Sequence, residues 1–286
     1  MDGKLRVGRL DVVMRLVFTG LAGPLAPRIR DRLMDLDEMV QVNGDSPPGV
    51  ARAAADLHDV VALRQAMDGA QVLVHDALGA WDELAPGDRG PEGLLHATAA
   101  VLEAAHQARV RRIVYLSTSR AEAAPSTGRW PALDALRGAE ARARRWAVVL
   151  APAALVGPGL EPSAALGRAL QAQARSPLPG QRRRVAIADV RDAAAAGEAA
   201  LVRGTRGQRY PLSSSAFWLG TWDRAARARP VDAGPPPPPD LDCPFGCADA
   251  WPDPSQSASD LGFWTRRPGR TLADALDALS ARPRRA

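Results

Sequence analysis

The sequence predicts an α/β fold, a doubly wound parallel sheet with a smaller C-terminal lobe, on three observations. An apolar run, Arg15-Leu-Val-Phe-Thr19, stops at Gly20 and Gly23 before an amphipathic stretch. Apolar runs of strand length then alternate with helix-length segments as far as residue 151. Beyond residue 152 the alternation loosens and Gly and Pro become frequent. Strands separated by helices of this length imply parallel pairing with right-handed crossovers, and ligands of such sheets bind at the carboxyl ends of the strands.

Each element has its own signal. The first strand, from Met14 to Thr19, gives way to a helix over Leu25 to Leu36. Met39 to Val42 is a short strand ended by the turn Asn43-Gly44-Asp45, and Val60 to Met67 is a short helix before the strand Gln71 to His75. An Ala-rich helix, Pro91 to Gln107, leads to the strand Ile113 to Ser117, and a helix near Ala132 to Arg145 precedes the strand Trp146 to Ala151. Later come a helix over Ala164 to Arg175, a strand Arg184 to Ile187 and a helix Arg191 to Val202. The expected organisation is a doubly wound domain over 14–151 and a smaller lobe over 152–286, the two interleaving at their margins. Residues 227–242 contain the run Pro235 to Pro239, which has no backbone donors for a ladder and reads as a surface loop.

Composition narrows the function. The 286 residues are 46% hydrophobic, enough for a large core. Of 37 basic residues only Lys4 is not arginine, and the arginines are scattered, so the net charge of +5 does not make a nucleic-acid footprint. Cys243 and Cys247 alone cannot assemble a disulfide framework or a four-cysteine metal site. No apolar run is long enough to cross a membrane. A cytoplasmic protein without metal, nucleic-acid or membrane partners is expected.

The segment Thr19-Gly20-Leu21-Ala22-Gly23-Pro24-Leu25-Ala26 places small residues where a strand turns into a helix. Missing side chains let backbone amides approach a pyrophosphate, and the helix dipole adds roughly half a positive charge. With Asp56-Leu57, Val72-Leu-Val-His75, Val110-Arg-Arg-Ile-Val-Tyr-Leu-Ser117, Ala151-Pro-Ala-Ala-Leu-Val-Gly-Pro-Gly159, Ala188-Asp-Val-Arg-Asp192 and Leu261-Gly-Phe263, the chain resembles the extended short-chain dehydrogenase/reductase superfamily, the NAD-dependent epimerase/dehydratase group, over residues 14 to 280. The resemblance implies a Rossmann domain binding NAD or NADP through Thr19 to Leu25, with Asp56 and Leu57 near the adenine. Asn43 and Asp45 stand where a ribose-binding acid is expected. An acid there favours NAD, because it accepts from the 2′-hydroxyl and repels a 2′-phosphate. The resemblance also implies a small-molecule substrate and a homodimer formed through the helices 91–107 and 132–145.

The family's proton relay is missing. It needs a tyrosine made acidic by a lysine four residues later. With tyrosine only at 115 and 210 and lysine only at 4, the motif cannot occur. Arg137-Gly-Ala-Glu140 resembles the run that follows the tyrosine, which puts Leu133 in the tyrosine position and Arg137 in that of the lysine, while Leu94 replaces the supporting asparagine. Ser119 survives. His75 and Asp76 end a strand on the correct side of the sheet, and Glu122, Trp130 and Asp134 follow Ser119 toward the same cleft.

Three readings remain open at this level. One is an oxidoreductase or sugar epimerase/dehydratase with a rearranged acid/base set drawn from Ser119, Asp76 and His75, with Arg137 as a fixed charge. A second is a non-catalytic dinucleotide-binding sensor or partner subunit. A third is an isomerase or cyclase without the relay, in a cleft lined by Trp130, Leu133 and Val156.

Overall fold

The structure is a computed structural model and describes residues 14–33, 38–43, 48–88, 90–119, 131–158, 160, 184–218, 220 and 253–280. Asp45, Glu122, Trp130, Cys243, Cys247, the helix expected over 164–175 and the Pro-rich 227–242 lie outside these residues.

Seven strands form one parallel sheet: β1 (Arg15–Thr19), β2 (Glu38–Val42), β3 (Ala51–Ala53), β4 (Val72–Asp76), β5 (Arg112–Leu116), β6 (Val148–Pro152) and β10 (Arg209–Leu212). Their spatial order is β10-β6-β5-β4-β1-β2-β3. The chain winds outward from β1 in one direction and from β4 in the other, so the crevice above the β1/β4 pair is the topological switch point of a doubly wound sheet. In register there, Thr19 stands beside His75, and His75 beside Tyr115.

The central strands are buried on both sides because helices cover both faces, which is why their sequences read as continuous apolar runs. Helices α2 (Val60–Ala66), α4 (Pro91–Gln107) and α5 (Pro131–Ala143) pack over one face, with Val17, Leu73, Ile113, Tyr115 and Val149 beneath them. Helices α1 (Ala26–Arg32) and α6 (Val190–Arg203) cover the other, over Leu16, Phe18, Val74, Val114 and Leu150.

Short aspartate caps start several helices. Asp59 accepts from the Val61 and Ala62 amides to open α2, and Asp189 accepts from Arg191 to open α6. Asp76 does the same for α3 (Ala77–Glu83), a helix that follows β4 without an intervening loop.

Later elements join the same body. Two small sheets pair β7 (Ala154–Val156) with β9 (Ile187–Asp189), and β8 (Arg184–Val185) with β11 (Phe217–Trp218). Helix α7 (Ser255–Leu261) packs on α6 and β10, while α8 (Pro268–Ser280) packs on β7 and β9. No described helix is long and apolar enough to cross a membrane.

Candidate functional site

At the switch point the β1 strand passes into the glycine loop. Gly20 has φ +77°, a conformation that costs a residue with a Cβ. A Cβ there would also overlap the Asp76 carbonyl oxygen and lie 2.8 Å from the Ala80 nitrogen. Leu21 and Leu25 turn into the core, and Pro27 sits in the first turn of α1, where its missing N–H costs nothing.

The site opposite the loop is supplied by β4 and α3. The Asp76 carboxylate is 2% exposed and accepts hydrogen bonds from Leu78 at 3.0 Å and Gly79 at 3.1 Å. It also accepts from the Ala26 amide, the first residue of α1, so one carboxylate bridges the N-termini of two helices. Burial pushes its pKa up to about 7, outweighing those three amides, and the nearby Glu83 charge pushes the same way. Gly23 is small because of it: a Cβ there would overlap Oδ2 and lie 2.7 Å from Cγ. Gly79 makes the reciprocal approach, its Cα facing the Gly20 carbonyl and the Gly23 nitrogen. Beside this contact the Ala22 amide donates to Glu83 Oε1 at 3.2 Å.

These contacts decide how the loop meets a dinucleotide phosphate. Pro24 has no N–H, Ala22 donates to Glu83, and Ala26 donates to Asp76. The space opened by Gly20 and Gly23 is filled by Asp76 and Ala80 of the same chain. In this conformation the loop does not accommodate a pyrophosphate on those amides, because two carboxylates already hold them.

The other candidates lie around this core. His75 is fully buried, with Nδ1 2.7 Å from Thr19 Oγ1 and its ring 5.5 Å from that of Tyr115. Burial pushes the His75 pKa down to about 4, so the ring is neutral near pH 7. Tyr115 is fully buried beside Thr98, and burial raises its hydroxyl above the ordinary phenol range. Ser119 is buried and anchored by its own amide to the Pro152 carbonyl at 2.9 Å. Arg137 lies on α5, half-buried, one turn before Glu140. The Asn43 side chain, with φ +62°, is clasped to Ala55, donating to its carbonyl at 2.7 Å and accepting from its amide at 3.1 Å. Leu57 is in the core, whereas the Asp56 side chain is 70% exposed and faces His58 at 3.3 Å. The structure thus gathers Thr19, His75, Asp76 and the glycine loop in one place. The Asp76 carboxylate faces Gly23 of the loop and the first amides of α3.

Residues 38–150 match a protein-family model described as NAD(P)H-binding. The fold is a Rossmann-type α/β fold that carries an NAD(P)H-binding family segment. No curated relative matches the chain by sequence. Among solved structures it is similar to a nucleoside-diphosphate-sugar epimerase from Pseudomonas aeruginosa, at 18% identity, TM-score 0.69, covering 94% of this chain and 98% of that one. It is similar to the Bordetella bronchiseptica enzyme WbmH in complex with NAD+, at 18% identity, TM-score 0.69, with 94% and 99% covered. A dTDP-glucose 4,6-dehydratase double mutant from Streptomyces venezuelae with NAD bound gives 17% identity, TM-score 0.72, with 94% and 97% covered. At these identities the likeness establishes the fold.

Two features of the NAD(P)-binding domain escaped sequence reasoning. Glu83 is one of them: the Asp76 cap that opens its helix is a readable start signal, but an acid in a helix's last turn is not. The second is a buried ion pair: Arg209 Nε meets Glu140 Oε1 at 2.7 Å, Ser117 Oγ donates to Glu140 Oε2 at 2.6 Å, and Arg209 also donates to the Thr118 carbonyl at 3.2 Å. It ties α5 and β10 to the carboxyl end of β5, and fixes the backbone that carries Ser119.

Proposed function

We propose that this protein is a dinucleotide-binding sensor or partner subunit that does not transfer hydride through the tyrosine-lysine relay. The observation that carries the reading is the location of its two tyrosines. Both lie inside strands and are fully buried, Tyr115 in β5 against His75, and Tyr210 in β10. The Tyr210 hydroxyl donates to Asp260 at 3.2 Å and accepts from the Thr205 amide at 3.1 Å. A relay phenol has to reach the substrate, and a phenol closed into a strand cannot. Glu140 is likewise committed to Arg209 and Ser117, and neutral His75 to Thr19.

A second reading has a specific support. Ser119 follows the carboxyl end of β5, and the fold is similar to those of a sugar epimerase and a sugar dehydratase, so a rearranged acid/base set acting on a nucleoside-diphosphate sugar is the enzymatic alternative. The test is calorimetric titration with NAD+, NADH, NADP+ and NADPH. The dinucleotide-loaded protein is then incubated with nucleoside-diphosphate sugars while nicotinamide absorbance and the sugar NMR spectrum are followed. Binding of a dinucleotide with both signals unchanged supports the sensor reading. Turnover abolished by Ser119→Ala replaces it with the enzymatic one.

A further inference from the structure

The glycine loop of this chain is closed by its own acids, and this inference rests on the dinucleotide-binding reading above. Four observations converge on residues 76–84. The Asp76 carboxylate holds the Ala26 amide at the start of α1, and Glu83 holds the Ala22 amide inside the loop. Gly20 and Gly23 open their space toward Asp76 and Ala80, and Gly79 faces the Gly20 carbonyl from the other side. Pro24 removes a further donor from the loop. The loop's amides and the dipole of α1 thus already face anionic oxygen, and that oxygen belongs to the protein.

We propose that Asp76–Leu84 is a displaceable acidic cover over the glycine loop, in which Asp76 and Glu83 compete with the cofactor's phosphates for the Ala26 and Ala22 amides and make dinucleotide affinity proton-linked. A pyrophosphate approaching the closed loop meets two negative charges and amides already in use. It binds by displacing Glu83 outward and by drawing Asp76 off α1 or neutralising it. Protonation lowers the barrier at Asp76, because a neutral carboxyl neither repels the phosphate nor competes as strongly for an amide.

The surroundings make Asp76 the titrating group of the pair. Glu83 on α3 adds a like charge, His75 on β4 stays neutral, Tyr115 on β5 keeps its proton, and residues 20–26 contribute no ionisable side chain. The transition should therefore centre near the Asp76 pKa of about 7.

The experiment is calorimetric titration of NAD+ and NADPH into the full chain, Glu83→Gln and Asp76→Asn, from about pH 5.5 to about pH 8.5. Asparagine keeps the helix cap, and Glu83 lies at the end of its helix, so both variants are expected to fold, which circular dichroism checks. The expected result is wild-type affinity rising up to about ten-fold per pH unit as pH falls through the transition. Glu83→Gln should bind about ten-fold more tightly than wild type at the alkaline end, on the scale of one screened charge contact. Asp76→Asn should lose the pH dependence. Equal, pH-independent affinity in all three proteins overturns the cover while leaving dinucleotide binding intact. Failure of all three to bind either dinucleotide overturns the reading beneath it, and the cover with it.

Discussion

Asp76 should make the protein less stable as pH rises, and the size of the effect follows from its burial. Its pKa is 3.8 in an ordinary setting and about 7 in the fold, so the folded state holds the proton more tightly than the unfolded chain does. Wherever the native state binds more protons, unfolding free energy falls with increasing pH. The contribution is therefore complete below the unfolded value, shrinks through the interval between the two, and is gone above the folded value. About three pH units at ~1.36 kcal/mol each amount to about 4 kcal/mol, more than half of which falls between pH 5 and pH 8.

Urea unfolding of wild type and Asp76→Asn across that range isolates the term, because every other titration is shared. The amide side chain keeps its acceptor for Leu78 and Gly79 and has no charge to lose. Stability of the wild type relative to the variant should drop by about 2–3 kcal/mol from pH 5 to pH 8. A difference that stays constant within about 0.5 kcal/mol would refute the reasoning, since it would mean the carboxylate ionises as if in water.

Three further perturbations address the packing around the site. Gly23→Ala drives a methyl group into the Asp76 carboxylate, and should destabilise by about 2–3 kcal/mol in urea unfolding; in an Asp76→Ala background at least ~1 kcal/mol of that should disappear, and strict additivity would count against the contact. Arg209→Leu leaves Glu140 buried beside Ser117 without its cation, at a cost of about 3–5 kcal/mol, which Arg209→Leu with Glu140→Leu should largely recover on thermal melting. Arg112→Ala releases the Leu201, Val202 and Gly204 carbonyls at the end of α6 and should cost about 2 kcal/mol, while Arg112→Lys should restore little because a single ammonium cannot span three acceptors.

Those parts of the fold whose physics is local were readable beforehand. Strands β1, β4, β5 and β6 are buried on both sides and appear as uninterrupted apolar runs, and the 17-residue α4 opens with Pro91 and repeats its apolar positions over several turns. Three residues of β3 carry too little pattern to be seen, and β10 contains Pro211, which argues against a strand except at the sheet edge where β10 in fact lies. Within the site, the turn at Gly20 was legible because glycine at a strand-to-helix junction has a backbone reason. Its partner was not, because the contact with Asp76 and Gly79 joins residues more than fifty positions apart. Asn43, expected from its position near the ribose, also clasps Ala55 through its carboxamide, a contact with no signal in the sequence.

The glycines of the loop satisfy two demands that are indistinguishable in sequence. A phosphate needs close backbone approach, and so does a helix seated directly on the loop. Here the second demand is met within the chain, with Gly79 as the reciprocal small residue and Asp76 as the anion between two helix N-termini. A carboxylate in that position supplies what the dipoles favour, so an incoming phosphate replaces an existing interaction and does not fill an idle one. Its measured affinity is then a difference between two anions on the same amides, lowered by the free energy of keeping the loop closed. That difference is sensitive to one proton on Asp76, which couples dinucleotide binding to pH through the loop itself.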